Sequence, residues 1–294
     1  MAYDLYQTVT DNIVAEIEKG SLPWVKPWST RGKDVADFGL PFNATSRKNY
    51  RGINILLLWG AKFSKGYTSN AWLTFKQANA LGGSVKKGEK ATQVVYASKF
   101  LPKDQKSLPR EEQREIFMMK GYYVFNVEQC ENLPDMETVP ALPEVERHEQ
   151  AEQLIAASGA SITHTGGRAF YTPMTDSVTM PAPQAFKSMD SYYSTMFHEL
   201  GHWTGAKHRL GRDHTGSFGS SAYAFEELVA ELASAFVCAG LQIQPENRHS
   251  DYIASWLKAL KDDKKFIFKA ASAASKAADM LQSSAEEEDI SEAA

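Results

Sequence analysis

The chain has 294 residues, of which 43% are hydrophobic and 23% charged, and its formal net charge at pH 7 is −4. This composition is typical of a globular protein with enough apolar residues for two domains, and no apolar run approaches the ~20 residues that a membrane-spanning helix needs. The chain has two widely separated cysteines and no secretory pattern in its first residues, which predicts reduced thiols and a cytoplasmic location.

The charge is unevenly distributed along the chain. Residues 26–106 contain 15 Lys and Arg but only 4 Asp and Glu, a balance of +11. Residues 136–294 contain 13 basic and 22 acidic side chains, a balance of −9. A basic block inside a mildly acidic protein indicates a polyanionic partner for the N-terminal half.

The N-terminal half is predicted to mix helices with strands. Helices are indicated in three segments, which are residues 3–19, 52–63 and 72–81. Residues 91–100 and 115–127 are rich in Val, Tyr and Phe, a composition typical of strands. These elements make up a predicted mixed α/β domain over residues 1–132.

Residues 133–147 contain three prolines and no amphipathic period, which predicts a linker between two domains. A helix is expected at 148–158 and a pair of strands within 169–181. Three helical stretches follow, at residues 188–205, 222–239 and 248–281. The second domain then covers 148–282, and the acidic residues 283–294 are predicted to be a disordered tail. The expected fold class is α+β with two domains.

The most informative segment is the string His198-Glu199-Leu200-Gly201-His202. On a helix, positions i and i+4 share a face, so both imidazoles can bind one ion. Glu199 then lies beside the ion and can take a proton from a metal-bound water, whose pKa such an ion lowers to about 7. This pattern is typical of zinc peptidases, so zinc is the expected metal, with another divalent ion such as manganese as the alternative. Apolar neighbours of the motif disfavour a surface helix with two unrelated histidines.

A zinc site of this type needs a third protein ligand, and two candidates are open. The spacing of the metzincin pattern would use His208. The predicted helix 222–239 supplies Glu227 instead, and Glu231 one turn later could orient a ligand histidine. We favour Glu227, because carboxylates among apolar residues need a cation. Tyr223, one turn before Glu227, is either a core residue or a donor to a developing oxyanion.

Between residues 24 and 76 the sequence alternates cations with aromatic rings, and two lysines follow in the turn after residue 85. Single-stranded nucleic acid is bound by this combination, because cations follow the phosphates and rings stack on unpaired bases. The candidate contacts are Arg47, Lys48, Tyr50, Arg51, Trp59, Trp72, Lys76, Lys86 and Lys87. For each single aromatic residue, burial in the core is the competing interpretation. No sequence-specific recognition motif is present.

Several strings of this sequence resemble the ArdC anti-restriction proteins. They are Phe42–Trp59 (FNATSRKNYRGINILLLW), Trp72–Ala78 (WLTFKQA), Val85–Lys90 (VKKGEK), Tyr192–Thr195 (YYST), His202–Gly205 (HWTG), Arg209–Leu210 and Tyr223–Glu231 (YAFEELVAE). The resemblance extends from about residue 3 to about residue 282.

The resemblance implies a protein that protects incoming conjugative plasmid DNA, which enters single-stranded, from host restriction. It implies an N-terminal single-strand DNA-binding domain and a C-terminal zincin-like peptidase domain similar to those of SprT and Spartan. The implied partners are single-stranded DNA and, as an open candidate, a host protein substrate, with no membrane partner. Two alternatives stay open: a protease that acts on DNA-bound proteins, and a non-enzymatic DNA shield with a structural metal.

Overall fold

The computed structural model describes residues 4–20, 22, 24, 39–102, 105, 109, 111, 113–114, 116–134, 143–213, 216, 220–244 and 252–292. Within these ranges the chain forms eight α-helices and nine β-strands. None of the described helices combines the length and the apolar character that crossing a bilayer requires.

The N-terminal half is organised around a mixed four-stranded sheet. Its elements are α1 (Leu5–Glu18), β1 (Phe42–Asn43), α2 (Ile53–Lys65), β2 (Ala71–Leu73), α3 (Phe75–Ala80), β3 (Ser84–Val85), β4 (Thr92–Phe100), β5 (Ile116–Asn126) and β6 (Cys130–Glu131). The strand order is β1-β2-β5-β4, with β1 parallel to β2 and the other pairs antiparallel. Trp72 packs with residues of α2, whereas the next residue, Leu73, packs with residues of α3. The two helices therefore cover opposite faces of the sheet.

A side chain of α2 occupies the β4 edge of this sheet at Val95. Asn54 accepts a hydrogen bond from the Val95 N–H at 2.7 Å and donates one to the Val95 carbonyl at 2.8 Å. These bonds satisfy backbone groups that an edge strand otherwise leaves open. They also fix the start of α2 against the β4–β5 hairpin.

The predicted helix over 72–81 is wrong in its first turn. Ala71–Leu73 is the buried strand β2, and the helix begins only at Phe75. Thr74 caps it, because its hydroxyl accepts from the Gln77 N–H while the Gln77 side chain accepts from the Thr74 N–H. This reciprocal capping box fixes the helix start after the strand.

The C-terminal half places a small sheet beside a helical bundle. Its elements are α4 (Glu144–Ala157), β7 (Ser161–His164), β8 (Phe170–Thr172), β9 (Ser177–Met180), α5 (Met189–Trp203), α6 (Ser221–Gly240), α7 (Ile253–Asp262) and α8 (Phe266–Glu292). The central strand β9 is parallel to β7 and antiparallel to β8. Helix α5 lies between the sheet and α6 and packs against both. Helix α6 also packs against α8. The mixture of helices and sheets matches the predicted α+β class.

One hydrophobic core extends through both halves of the chain. The rings of Trp24 and Trp256 have centroids 5.8 Å apart, and those of Trp59 in α2 and Phe236 in α6 are 5.9 Å apart. α1 lies against α7, and α2 contacts α8. The division near residues 133–147 therefore separates two sequence regions that share a packed interface.

The predicted linker over residues 133–147 is too long at its C-terminal end. Residues 135–142 lie outside the described residues, but α4 already begins at Glu144. Acidic side chains in the first turn of α4 favour this start, because they interact well with a helix N-terminus. Arg147 is buried and donates to the Gln242 carbonyl at 2.7 Å, so this turn belongs to the packed domain.

The predicted C-terminal elements also differ from the structure. The helix expected over 248–281 is two helices, with the break at Asp263, whose carboxylate accepts from the Lys265 N–H. Residues 283–294 were expected to be disordered, but α8 continues to Glu292. The segment contains alanine and glutamate, which have high helix propensity.

Trp59 and Trp72 are core residues, so the prediction that they contact DNA is wrong. Both side chains are almost completely enclosed, and Trp59 donates its ring N–H to the Gly39 carbonyl at 3.1 Å. A ring enclosed on both faces cannot stack on a base. Lys62, on the same helix as Trp59, is also buried. A buried helix that contains a ring and a cation therefore gives the same sequence pattern as a surface that binds nucleic acid.

Candidate functional site

α5 and α6 approach each other most closely at Gly201. A Cβ atom at this position would lie 3.1 Å from the Ala230 Cα and 3.3 Å from the Ala230 carbonyl oxygen. The missing side chain therefore allows the two helices to pack backbone to backbone. Glu227, about one turn before Ala230, is thereby brought to the two histidines of α5.

The three predicted metal ligands are brought together by this packing. His198 Nε2 and His202 Nε2 are 3.2 Å apart. Glu227 Oε2 lies 3.6 Å from the first nitrogen, and Glu227 Oε1 lies 3.6 Å from the second. One donor atom from each residue lies within 4.8 Å of the others. Two nitrogens that each lie about 2.0–2.1 Å from one tetrahedral ion are about 3.3 Å apart. The observed arrangement therefore fits a single divalent ion.

The second ring nitrogen of each histidine faces a carboxylate of α6. His202 Nδ1 is 3.2 Å from Glu226 Oε1, and His198 Nδ1 is 3.5 Å from Glu231 Oε2. A carboxylate at Nδ1 keeps the proton there and leaves Nε2 free to bind a metal. The sequence indicated this orienting role for Glu231 but missed it for Glu226.

Glu226 is held in place by Arg212. The guanidinium donates two hydrogen bonds of 2.9 Å to the two Glu226 oxygens and further bonds to the Gly201 carbonyl and the Thr204 hydroxyl. Burial alone would raise the pKa of Glu226, but hydrogen bonds from His202 and Arg212 outweigh it and hold that pKa below its usual range. Arg212 thus keeps Glu226 ionised and ties it to the end of α5.

The site strongly favours positive charge. Burial disfavours the protonated form of His198, yet the carboxylates of Glu227 and Glu231 beside its two ring nitrogens raise the pKa of this imidazole to about 10. Burial would likewise raise the pKa of Glu227, but the adjacent His198 and the charges of both histidines hold it low. Ionised carboxylates enclosed in this way are stabilised by a cation, which is the property a metal site needs.

Two further predicted residues lie in or beside the cluster. Glu199 is buried directly after His198 on α5. Tyr223 lies one turn before Glu227, with its hydroxyl 3.1 Å from the Tyr252 hydroxyl. Burial and the bond to Tyr252, with the nearby Glu227 charge, raise the pKa of Tyr223. This hydroxyl therefore keeps its proton and can donate it in a hydrogen bond.

His208, the alternative third ligand, lies away from the histidine pair. Its side chain is 65% exposed, and its Nε2 is 3.3 Å from Asp176 Oδ2. The next residue, Arg209, stacks on the Trp203 ring at 3.7 Å and donates to the same carboxylate. These contacts hold the loop after α5 against the β8–β9 turn, so the His208 side chain points to Asp176.

The predicted cationic DNA contacts lie at the surface, in turns around the sheet and, for Lys76, on α3. The exposed ones are Arg47, Lys48, Arg51, Lys76, Lys86 and Lys87. Arg51 forms an ion pair with Asp279 of α8, and Lys86 donates to the Glu128 carbonyl at 2.9 Å. Tyr50 is partly buried, and burial raises the pKa of its hydroxyl. Lys48, Lys76 and Lys87 are likewise exposed, and so is Arg47, whose guanidinium lies 4.7 Å from the centre of the Phe42 ring.

Two family patterns together match most of this chain. Residues 3–125 match the family described as the N-terminal domain of anti-restriction factor ArdC. Residues 149–273 match the family described as zincin-like metallopeptidase, a class whose sites hold a divalent metal.

Similar proteins occur alone and as part of longer chains. The protein y4eC of Sinorhizobium fredii is 42% identical over an alignment of 301 positions that covers 99% of this chain and 96% of that protein. The DNA primase TraC of Escherichia coli is 40% identical over an alignment of 296 positions that covers 94% of this chain but 20% of the primase.

Two crystal structures of the antirestriction ArdC protein from plasmid R388 are similar to this chain, each at 41% identity. The metal-free one has a TM-score of 0.82 and the match covers 97% of this chain and 99% of that chain. The Mn(II)-bound one has a TM-score of 0.78, with 96% and 98% covered.

Proposed function

This chain belongs to the ArdC family of antirestriction proteins, and from that premise we propose that it binds single-stranded DNA and protects incoming plasmid DNA from host restriction. The single observation that carries the proposal is the similarity over nearly the full length to an antirestriction protein of known structure. We assign DNA binding to residues 1–132 and the metal site to residues 148–282. The protein acts in the cytoplasm of the recipient cell.

The charge of the N-terminal half supports a DNA partner. Residues 26–106 have a balance of +11, and Arg47, Lys48, Lys76 and Lys87 present exposed cations from this region. Such cations bind phosphates and release the counterions of the strand. A strand covered in this way is converted more slowly to the duplex that restriction enzymes cut.

The second half adds a metal-dependent chemistry. We propose that His198, His202 and Glu227 hold zinc, with manganese as the alternative. A divalent ion bound by three protein ligands supplies a Lewis acid and lowers the pKa of a bound water to about 7. The Glu199 carboxylate accepts a proton from the attacking water. The protonated Tyr223 hydroxyl donates to the oxyanion that develops on the substrate carbonyl.

A peptidase activity would give the protein a second means of protection, by cleaving a host protein. The packing of two histidines and an ionised glutamate beside a buried Glu199 favours this candidate over a purely structural metal, because it leaves a coordination position for water. We nevertheless propose coating as the main effect, since the entering strand must be covered at once.

Conjugative transfer of a restriction-sensitive plasmid tests the proposal. The recipient expresses the parent protein, the variant Glu199→Gln, or a variant with glutamine at Arg47, Lys48 and Lys87. If coating suffices, the parent and Glu199→Gln raise the transfer frequency equally, whereas the triple variant does not. No increase with the parent protein would refute the proposed function, and failure of Glu199→Gln alone would make proteolysis the essential step.

A matched control separates DNA contacts from a general loss of charge. Lys187, Lys207 and Lys258 are exposed lysines of the second half. Replacing all three with glutamine removes the same number of positive charges. This control variant is expected to protect as well as the parent, because its changed residues lie outside the region to which we assign DNA binding.

A further inference from the structure

The β4–β5 hairpin exposes three large aromatic side chains. Tyr96 is 56% exposed, Tyr122 is 47% exposed and Tyr123 is 59% exposed. Aromatic rings gain most from being enclosed, so three exposed rings on one hairpin indicate a surface that binds something. These tyrosines follow the segment in which cations and rings alternate, so that pattern does not include them.

Two of the three tyrosines share a face of the hairpin with a lysine. The strand register places Tyr96 opposite Lys120 and Val94 opposite Tyr122. Directly opposed residues and alternate residues of a strand point to the same side, so Tyr96, Lys120 and Tyr122 form one surface, which we call the tyrosine face. The rings of Tyr96 and Tyr122 have centroids 5.9 Å apart and are perpendicular.

Helix α2 packs on the part of this side of the hairpin that lies next to the tyrosine face. Leu58 of α2 packs in one cluster with Val94 and Val124, which lie on the same side of the hairpin. Tyr123 points to the opposite side, where the register pairs it with the uncharged Gln93. Among these described hairpin residues, the tyrosine face is therefore the side on which a lysine lies beside a pair of aromatic rings.

We propose that the tyrosine face is the base-stacking surface for single-stranded DNA, an inference that rests on the DNA binding proposed above. Every base has a flat face that stacks on an aromatic ring, while a neighbouring cation binds the phosphate. Tyr96 and Tyr122 supply the rings, and Lys120 supplies the cation. Duplex DNA keeps its bases stacked on each other, so the surface selects single strands.

The chemistry of the hairpin favours this partner over an added protein strand. Strand addition needs free backbone groups at a sheet edge. The edge of β4 is occupied at Val95 by the side chain of Asn54, and Lys120 places a charge beside the rings. Recognition at this surface therefore proceeds through side chains. The basic balance of residues 26–106, a segment that includes Tyr96, complements the charge of a nucleic acid.

The experiment measures binding of a fluorescent oligothymidine of 20 nucleotides to the full-length protein by anisotropy. This length exceeds the roughly 4–16 nucleotides that one single-strand-binding domain covers. Tyr96→Ala and Tyr122→Ala are each expected to raise the Kd between about 5-fold and 150-fold, the range for loss of one stacked base. Tyr122→Phe keeps a ring and is expected to bind like the parent.

Tyr123→Ala is the matched control, because it removes the same ring from the same strand at similar exposure but on the other side. Its Kd should stay within about 2-fold of the parent, since no stacked base is lost. Lys120→Gln should reduce the slope of log affinity against log salt by about 0.7, the value for one phosphate contact with a single strand.

The outcomes distinguish this inference from the proposed function. If the parent binds the oligonucleotide and the Tyr96 and Tyr122 variants match Tyr123→Ala, the tyrosine face is refuted while DNA binding stands. Loss of binding in Tyr122→Phe as large as in Tyr122→Ala would refute stacking as the cause. If the parent protein itself fails to bind, both the tyrosine face and the proposed DNA binding fall.

Discussion

Glu226→Gln is the substitution that most sharply tests how the metal centre is held. The change keeps the shape of the side chain but removes the charge that faces His202 Nδ1 at 3.2 Å. It also removes the charge that pairs with Arg212, whose side chain is only 8% exposed. The metal ligands themselves are unchanged, so any effect on metal binding acts through the orientation and basicity of His202.

The expected magnitude follows from the two contacts that Glu226 makes. Removing a carboxylate that orients a metal-bound histidine lowers metal affinity about 10- to 100-fold, which corresponds to about 1.4–2.7 kcal/mol. Breaking a buried ion pair by removing one charge destabilises a protein by about 3–5 kcal/mol. Glutamine still accepts one hydrogen bond from Arg212, so we expect the free energy of unfolding to fall by about 2–3 kcal/mol.

Two measurements check these values. Metal affinity is obtained by titrating zinc into the metal-free protein in competition with a chromophoric chelator, and stability by thermal unfolding in excess chelator. Glu152→Gln is the control, since Glu152 accepts a hydrogen bond from Tyr193 on α5 without contacting either histidine. Metal affinity of Glu226→Gln within about 2-fold of the parent would refute the orienting role, because such a partner is worth at least 10-fold.

Three further predictions follow from the same helices and the loop after α5. Glu227→Ala should abolish stoichiometric zinc in elemental analysis, whereas His208→Ala should retain it; the opposite pattern would make His208 the third ligand. Gly201→Ala should destabilise the fold by about 1–3 kcal/mol in urea unfolding and weaken metal binding, because Ala230 must move away; unchanged stability would contradict the close helix contact. Hydrogen bonds from Arg209 hold the pKa of Asp176 below 3.8, so this pair stabilises the fold above that pH and the effect disappears as pH falls through the lowered pKa. Asp176→Asn should therefore lower the thermal midpoint at pH 7 by an amount worth about 1 kcal/mol or less, and a difference that persists undiminished at pH 2 would contradict the ion pair.

The helical part of the metal site could be predicted from sequence because its spacing is local. His198 and His202 are one turn apart, so any helix through them brings the two rings together. The choice between Glu227 and His208 could not be settled by spacing, because both are compatible with a three-ligand site. In the structure Glu227 lies beside both histidines, whereas the His208 side chain lies against Asp176.

Other features depend on packing that leaves no periodic signal. Glu226 is adjacent to Glu227 in the sequence, and the spacing does not show that it orients His202. That role depends on the fold, which places Arg212 of the loop after α5 against the Glu226 carboxylate. The strands β4 and β5 were predicted to within one residue, since long runs of Val, Tyr and Phe are distinctive. Trp59 and Trp72 were misinterpreted because composition reports how many rings a segment has but not which of them are enclosed.

The two halves of the chain share a core that joins α1 to α7 and α2 to α8. A strand bound to the first half, as we propose, would therefore be held at a fixed position relative to the proposed metal site. A fragment ending near residue 132 would expose apolar residues such as Trp24 and Trp59, which pack on the second half. DNA-binding measurements are therefore designed for the full-length chain.

Conversion of a single-stranded circular plasmid to duplex in a purified system tests the coating mechanism most directly. The reaction contains a primer, a DNA polymerase and a restriction enzyme, with increasing amounts of this protein. We expect duplex formation and cutting to be delayed in proportion to strand coverage, while a ready-made duplex is cut at the unchanged rate. Equal protection of the ready-made duplex, or no delay on the single strand at full coverage, would contradict the coating mechanism.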